Sequence, residues 1–416
     1  MRRSFHHAIR AVVLLAAILS AAAQTPSFNT GFAIGTNQAA SVTEASGIVA
    51  SRLNPNVLWI HNDSGDSARL FAINTAGALH GTFNLTGASA TDWEDIAVAP
   101  NPTSGVYELY AGDIGDNTAV RANISVYRVP EPVVDTNAFN VSSNLAGAQR
   151  FVLAYEDGAR DAEVLLVDPW TGDIIIVSKR ETPSRIYRAA YPQSTNGTNL
   201  LVYQGSLTMG WVVGGDISPS GRQVLIKDYS NAYYYTRTNG QAVASAITNT
   251  PSTVPCATEP QGEAIGWQGR ERGYFTLSEG VSQPIYYYAS ADTDGDSVPD
   301  SAEVAAGTTM GTSDSDGDGM ADGAELIAGS SPTSSASVFT LSPAGISPTS
   351  VTLRWSARTN RTYDVYGTNG SLSNAVPFTR VISNLSVSVD TTVETNMTLT
   401  HDSQFYRVQA HRASEW

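Results

Sequence analysis

TEASGIV (43–49), TDWEDIA (91–97), RDAEVLL (160–166), VVGGDIS (212–218) and PQGEAIG (260–266) are five versions of one short pattern, in which small and acidic residues run into an apolar strand. Aligned on the apolar residue, they place Ile48, Ile96, Leu165, Ile217 and Ile265 at intervals of 48, 69, 52 and 48 residues. The long interval contains PEPVVDTNAFNVSSNLAGA (130–148), a Pro- and Asn-rich insertion of about the excess length. Between recurrences the chain is made of short alternating or apolar runs broken by Gly, Asn, Asp and Pro, which reads as all-β. A period near 50 residues holding about four strands is the signature of a β-propeller. In the first repeat the strands are GIVAS, VLWIHN, RLFAIN and HGTFNL. The fifth repeat lacks a strand, and SFNTGFAIG (27–35) is placed to donate it and close the ring. The count is five blades over residues 24–291, or six if the weak fourth repeat hides a split.

On the N-terminal side, MRRSFHHAIR is basic, AVVLLAAILS is apolar and Ala21–Ala23 are small, the pattern of a secretory signal peptide spanning residues 1–23 and cleaved after Ala23. Its apolar run is too short to cross a bilayer, and no later segment resembles a membrane span. Cleavage removes Arg2, Arg3 and Arg10 and no acid, taking the formal net charge from −15 to −18. Such a chain is a poor partner for nucleic acid. Cys256 is the single cysteine, so no intramolecular disulfide forms. A secreted monomer, either free or held at the cell surface, is expected.

Residues 292–335 change character. DTDGDSVPDSAEVAAGTTMGTS is followed by DSDGDGMADGAELIAGSSPTSS, a repeat of 22. In the second unit Asp314, Asp316, Asp318, Asp322 and Glu325 stand at positions 1, 3, 5, 9 and 12 of a loop with Gly319 at position 6, and the Met320 carbonyl is available at position 7. Alternate carboxylates, a carbonyl and a final chelating Glu are what Ca²⁺ takes as hard oxygen ligands. The first unit repeats the set with Asp292, Asp294, Asp296, Val298, Asp300 and Glu303, but its sixth position is Ser297, which predicts a strained turn or a weaker site. Ten carboxylates in 34 residues without a Lys or Arg repel one another, so a compact state calls for a divalent cation. Beyond, in residues 336–416, VTLRWSA, RTYDVYG, TRVISNL, SVSVDTT and FYRVQAH read as strands of a small β-sandwich, with Trp355 and Tyr363 as core candidates.

The two 22-residue units resemble thrombospondin type 3 repeats of secreted bacterial proteins, which implies a calcium-stiffened spacer. The EASGI, RDAEVLL and PQGEAIG segments resemble bacterial secreted propellers akin to the esterase-like domain associated with phytases, and more distantly gluconolactonase-type propellers with a central metal. The LRW, YDVY and FYRV segments resemble fibronectin type III-like sandwiches.

In a propeller the start of each innermost strand and the turn after the second strand share one face. That face collects Glu44, Asp92, Glu94, Asp95, Asp161, Glu163, Asp216 and Glu263 with His61, Asn62, Asp63, Asp113, Asp116, Lys179, Lys227, Asp228 and Glu279. One reading makes these acids pins between blades, accepting backbone N–H groups or pairing with Arg121 and Arg160. The other brings Glu44, Asp63, Glu94, Asp113, Glu163 and Glu263 onto a divalent cation or a sugar-like ligand. The function expected is calcium binding plus recognition of an extracellular ligand, carbohydrate or cell-surface in kind. The alternative is a metal-dependent esterase or phosphoesterase. No GxSxG elbow is present, and Ser64 in NDSG has no evident base.

Overall fold

The computed structural model describes residues 25–369, 378–399 and 404–412; the expected signal segment 1–23 lies outside them. The architecture is all-β. A first strand, β1 (Phe32–Thr36), precedes a meander of β2 (Ala45–Ala50), β3 (Val57–Asn62), β4 (Arg69–Asn74) and β5 (Leu79–Leu85). The second meander is β6 (Trp93–Pro100), β7 (Tyr107–Asp113) and β8 (Ile124–Pro130), then an insertion carrying β9 (Val141–Leu145), then β10 (Gln149–Tyr155). The third is β11 (Ala162–Val167), β12 (Ile174–Ser178), β13 (Arg185–Ala189) and β14 (Thr198–Ser206). The fourth is β15 (Val212–Ile217), β16 (Gln223–Asp228), β17 (Ala232–Thr236), a helical turn α1 (Val243–Ile247) and the three-residue β18 (Ser252–Val254). The fifth is β19 (Gly262–Trp267), β20 (Gly273–Ser278) and β21 (Pro284–Ala289), completed by β1, which pairs antiparallel with β21.

The five first strands touch in a closed order: β2 packs on β6, β6 on β11, β11 on β15, β15 on β19, and β19 back on β2. Apolar clusters fill the spaces between successive meanders. Trp59, Leu70 and Tyr127 pack between the first and second, Leu165 and Tyr187 with Tyr110 between the second and third, Ile226 with Leu166 between the third and fourth, Trp267 with Tyr234 between the fourth and fifth, and Phe71 with Phe275 between the fifth and first. Each such side chain contributes about 1.5–3 kcal/mol by leaving water. On the outside, β9 adds parallel to β5, and β10 pairs parallel with β14, which merges the second and third meanders into one eight-stranded sheet. The insertion thereby covers an outer edge that would otherwise present unpaired backbone groups.

Every first strand carries a β-bulge at the same place. The unpaired residue is Ser46, Glu94, Glu163, Val213 or Glu263 in turn. This corrects the alignment of the fourth repeat. Ile48, Ile96, Leu165 and Ile265 are matched by Gly215, which pairs with Ile226, and Ile217 lies two residues further on. The bulge and two adjacent glycines hide that register from a reading based on apolar positions.

After the ring come α2 (Asp300–Ala306) and α3 (Asp322–Ala328), each stopped by a glycine in the left-handed region, Gly307 and Gly329. Two three-stranded sheets follow, built from β22 (Ser342–Ser347), β23 (Ser350–Ala357) and β26 (Thr391–Thr398), and from β24 (Arg361–Asn369), β25 (Thr379–Ser386) and β27 (Gln404–Arg412). Trp355 and Tyr363 are buried in the core between them.

Candidate functional site

The shared bulge sorts the acids of one face of the ring into three sets of equivalent positions. The bulged residues are Ser46, Glu94, Glu163, Val213 and Glu263; two residues earlier stand Glu44, Asp92, Asp161, Trp211 and Gln261; just past each second strand stand Asp63, Ile114, Lys179, Tyr229 and Glu279. A bulge bends its strand and re-aims a side chain. Here the result is an arc of converging carboxylates: Asp63 with Glu263 and Glu279, Asp63 with Asp92 and Glu94, and Glu94 with Asp161 and Glu163, in each case with one oxygen per residue within 4.8 Å of the others. The fourth meander supplies Val213, Trp211 and Tyr229 instead, so one sector of this acidic mouth is aromatic. Trp211 is 48 % exposed and holds φ +60°, a backbone conformation that bulky residues rarely adopt.

The three carboxylate groups differ in what neutralises them. Asp161 pairs with Arg180 at 2.7 Å, and Glu163 receives the Lys179 ammonium at 2.5 Å. Glu263 accepts the Tyr229 hydroxyl at 3.0 Å and the Ser46 hydroxyl at 3.3 Å, with Lys179 at 3.8 Å, and Glu279 accepts the Gln261 amide at 2.5 Å. Asp63, Asp92 and Glu94 have no ion pair among the described residues, and Glu94 is 2 % exposed. Gly115 makes their approach feasible. A Cβ there would lie 2.0 Å from a Glu94 oxygen and 2.6 Å from one of Asp92, although the residue's own backbone does not require glycine.

Burial, reinforced by the neighbouring acids, pushes Asp63 up to about 7 and Glu94 well above the carboxylate range. Burial likewise raises Glu279 to about 7, and raises Glu163 to about 8 against the pull of Lys179. A divalent cation would reverse these shifts by favouring the ionised forms.

The acids of this face divide between two arrangements, some pinning neighbouring meanders and others converging in the arc. Asp95 accepts the Leu165 N–H at 3.0 Å and Asp216 the Trp267 N–H at 2.8 Å, each pinning the next meander. Asp216 therefore lies below the mouth, as its corrected register requires. Lys227 is buried and donates to the Gly262 carbonyl at 2.5 Å. Asp113 is held by Arg121 at 2.8 Å, whereas Arg160 pairs with Asp157 at 2.9 Å. Neither Glu44 nor Asp113 joins a cluster. Asp92, Asp161 and Glu279 do, although the six candidates chosen from sequence left them out; Gly115 in GDIGDN was the available signal. In the stretch Trp59–Asp66, Asn62 donates to Asp66 within the turn and accepts the Thr43 and Glu44 N–H groups at the entry to β2. His61 is fully buried and lowered to about 4, chiefly by that burial, so it is neutral. Only Asp63 of that stretch reaches the arc.

In the two loops, Asp292, Asp294 and Asp296 converge, as do Asp314, Asp316 and Asp318. Glu303 and Glu325 are fully buried with no hydrogen-bond donor to any of their four carboxylate oxygens, and Asp294, Asp316 and Asp318 each have one more buried, unpartnered oxygen. Burial, with Asp294 and Asp296 nearby, raises Glu303 to about 8. Asp300 and Asp322 are placed differently: Asp300 accepts the N–H and hydroxyl of Thr293 (both 2.9 Å), and Asp322 those of Ser315 (2.8 and 2.6 Å). Val298 and Met320 donate their N–H groups to Asp296 and Asp318. The predicted strain at Ser297 is present, with φ +78° where Gly319 has +96°.

Residues 292–308 and 314–335 match the family described as Bacterial TSP3 repeat. No curated protein matches the chain. Among solved structures, an auxiliary nutrient binding protein from Bacteroides thetaiotaomicron aligns at 10 % identity and a TM-score of 0.33, over 60 % of this chain and 57 % of that one. The chain thus spans little more than half the length of that protein.

Proposed function

We propose that the chain is an exported calcium-binding protein in which a five-bladed β-propeller (24–291) presents the acidic mouth to an extracellular ligand. The two repeats (292–335) join it to a fibronectin type III-like sandwich (336–416). The observation that carries the calcium assignment is the pair Glu303 and Glu325, fully buried with four unpartnered oxygens. Leaving such groups unpaired costs several kcal/mol each, roughly, unless a cation occupies the site. A dehydrated Ca²⁺ sits about 2.3–2.6 Å from its ligands, close enough for oxygens that water cannot reach. Asp292, Asp294, Asp296 and Glu303 would hold one ion; Asp314, Asp316, Asp318 and Glu325 the other. Terbium luminescence and melting of the full chain test this: strong emission and a fall in melting temperature on adding EGTA are expected. No emission together with no shift would discard the assignment.

A second reading rests on the unpaired group Asp63, Asp92 and Glu94. A divalent cation held there would supply Lewis acidity and lower the pKa of a bound water, the chemistry of an esterase or phosphoesterase. Around it, Lys179 and Arg180 form the positive side of the mouth, already paired with Glu163 and Asp161, and the Arg180 guanidinium lies over the Trp211 ring. With both loops disabled by Glu303→Gln and Glu325→Gln, residual metal in the full chain and hydrolysis of 4-nitrophenyl phosphate or acetate are the measurements. Loss of both on Gly115→Ala supports the enzyme; absence of both before that change leaves ligand binding alone.

A further inference from the structure

The first calcium loop starts one residue after the seam of the ring. At that seam Ala291 N–H donates to the Ser27 carbonyl at 2.8 Å, Asn29 N–H to the Ala289 carbonyl at 3.0 Å, and Phe28 bridges Ser290. The Phe28 ring lies edge-on to Tyr274 with centroids 5.0 Å apart. Beyond these bonds the closing segment is held by the ladder of the five-residue β1 on β21, and its outer end at residues 27–29 is reinforced from outside the ring.

The reinforcement comes from the first turn of α2, inside the loop. Asp300 N–H donates to the Ala291 carbonyl at 2.7 Å, and the Asp300 carboxylate accepts the Ser27 N–H at 3.3 Å. Ser301 N–H donates to the Ser290 hydroxyl at 3.0 Å, its own hydroxyl donates to the Glu271 carbonyl, and its carbonyl accepts the Gln223 amide at 2.9 Å. Asp300 and Ser301 are both buried. Two adjacent residues therefore tie together the incoming N-terminal segment, the end of β21, the turn between β19 and β20, and β16. Glu303, which needs the cation, follows two residues later on the same turn and a half of helix.

We propose that the first loop is a calcium-operated clasp on the ring: calcium held by Asp292, Asp294, Asp296 and Glu303 keeps α2 seated, and seated α2 keeps the N-terminal strand in place. This rests on the calcium assignment above. A ligand that binds only the seated form stabilises it by mass action, so calcium at a hundred times its dissociation constant lowers the population of the open seam by up to about 100-fold. Among the described residues the second loop makes no such hydrogen bond to the ring; it touches the first loop, where the Gly323 N–H donates to the Asp296 carboxylate at 3.0 Å. Its helix instead offers the Leu326 and Ile327 carbonyls to Arg361 of the sandwich, at 3.0 and 2.7 Å.

Hydrogen exchange of the full chain, read on peptides covering residues 28–36 with and without EGTA, tests the clasp, with terbium titration run alongside. The expected result is calcium-dependent protection of those peptides that is lost in Glu303→Gln and kept in Glu325→Gln. Ser301→Ala, which removes no ligand and only the hydroxyl contact to the Glu271 carbonyl, should still bind terbium at both sites while the seam's response to calcium weakens. Terbium binding without any change in the seam, or equal loosening by Glu325→Gln, overturns the clasp and leaves the calcium assignment standing. No terbium binding overturns both.

Discussion

The two acid-rich regions of this molecule gather the same side chains by opposite routes. In the repeats, the ligands of each loop fall within twelve residues and have no Lys or Arg among them. Their mutual repulsion is not relieved by any cation of the loop itself. At the mouth, acids arrive from β3, β6, β11, β19 and β20 or the turns beside them, and the scaffold is held by five apolar interfaces whatever the mouth contains. There Lys179 and Arg180 already neutralise part of the charge, and protonation can neutralise more. A local acid cluster couples any metal binding to folding, whereas a dispersed one takes its rigidity from the scaffold that carries it.

Lys179→Met should have the largest effect, because it leaves Glu163 and Glu263 buried without their ammonium. A loss of about 3–5 kcal/mol is expected in EGTA, measured by urea denaturation. Recovery on adding a divalent ion would show that metal can replace the lysine at the mouth. Next in size is calcium removal from the repeats. Each site should lose about 2.7 kcal/mol relative to calcium at a hundred times its dissociation constant, so Glu303→Gln should abolish roughly half of the total calcium effect on unfolding.

The third test is pH. Asp63 and Glu279 rise to about 7, and Glu163 and Glu303 to about 8, so in the metal-free folded state these groups bind protons more tightly than in the unfolded chain. Metal-free stability should therefore fall as pH rises from about 4 to about 8 and level off above that. Calcium should flatten the fall. A melting temperature in EGTA that rises across this range would contradict the burial of these acids. The smallest effect expected is from Ser297→Gly, which relieves the left-handed residue and should stabilise the first loop by about 1 kcal/mol, read as tighter terbium binding there than at the second loop's unchanged site.

Much of this was legible in the chain. The strands VLWIHN and RLFAIN occur with the bounds their alternation suggested, and the N-terminal segment pairs with β21, as the strand missing from the fifth repeat implied. The loops could be read because metal-ligand spacing is a property of consecutive residues. The mouth was only half legible. Asp113 stood beside Asp63 among the six candidates, but it is the last paired residue of its strand and is taken by Arg121, while Asp92 two residues before the bulge joins the arc.

What the sequence by itself determined, then, is everything with a period: strand alternation, the recurrence near 50 residues, and the 22-residue acidic repeat. Those signals are local, since side-chain direction alternates along a strand and ligand order is written along a loop. The tertiary structure alone decided which carboxylates meet. A one-residue bulge changes the face a side chain occupies, and a ring closes over distances of some 50 residues, so the meeting of Asp63, Asp92 and Glu94, the aromatic sector of Trp211 and Tyr229, and the grip of Ser301 on the seam depend on packing that no single stretch of the chain encodes.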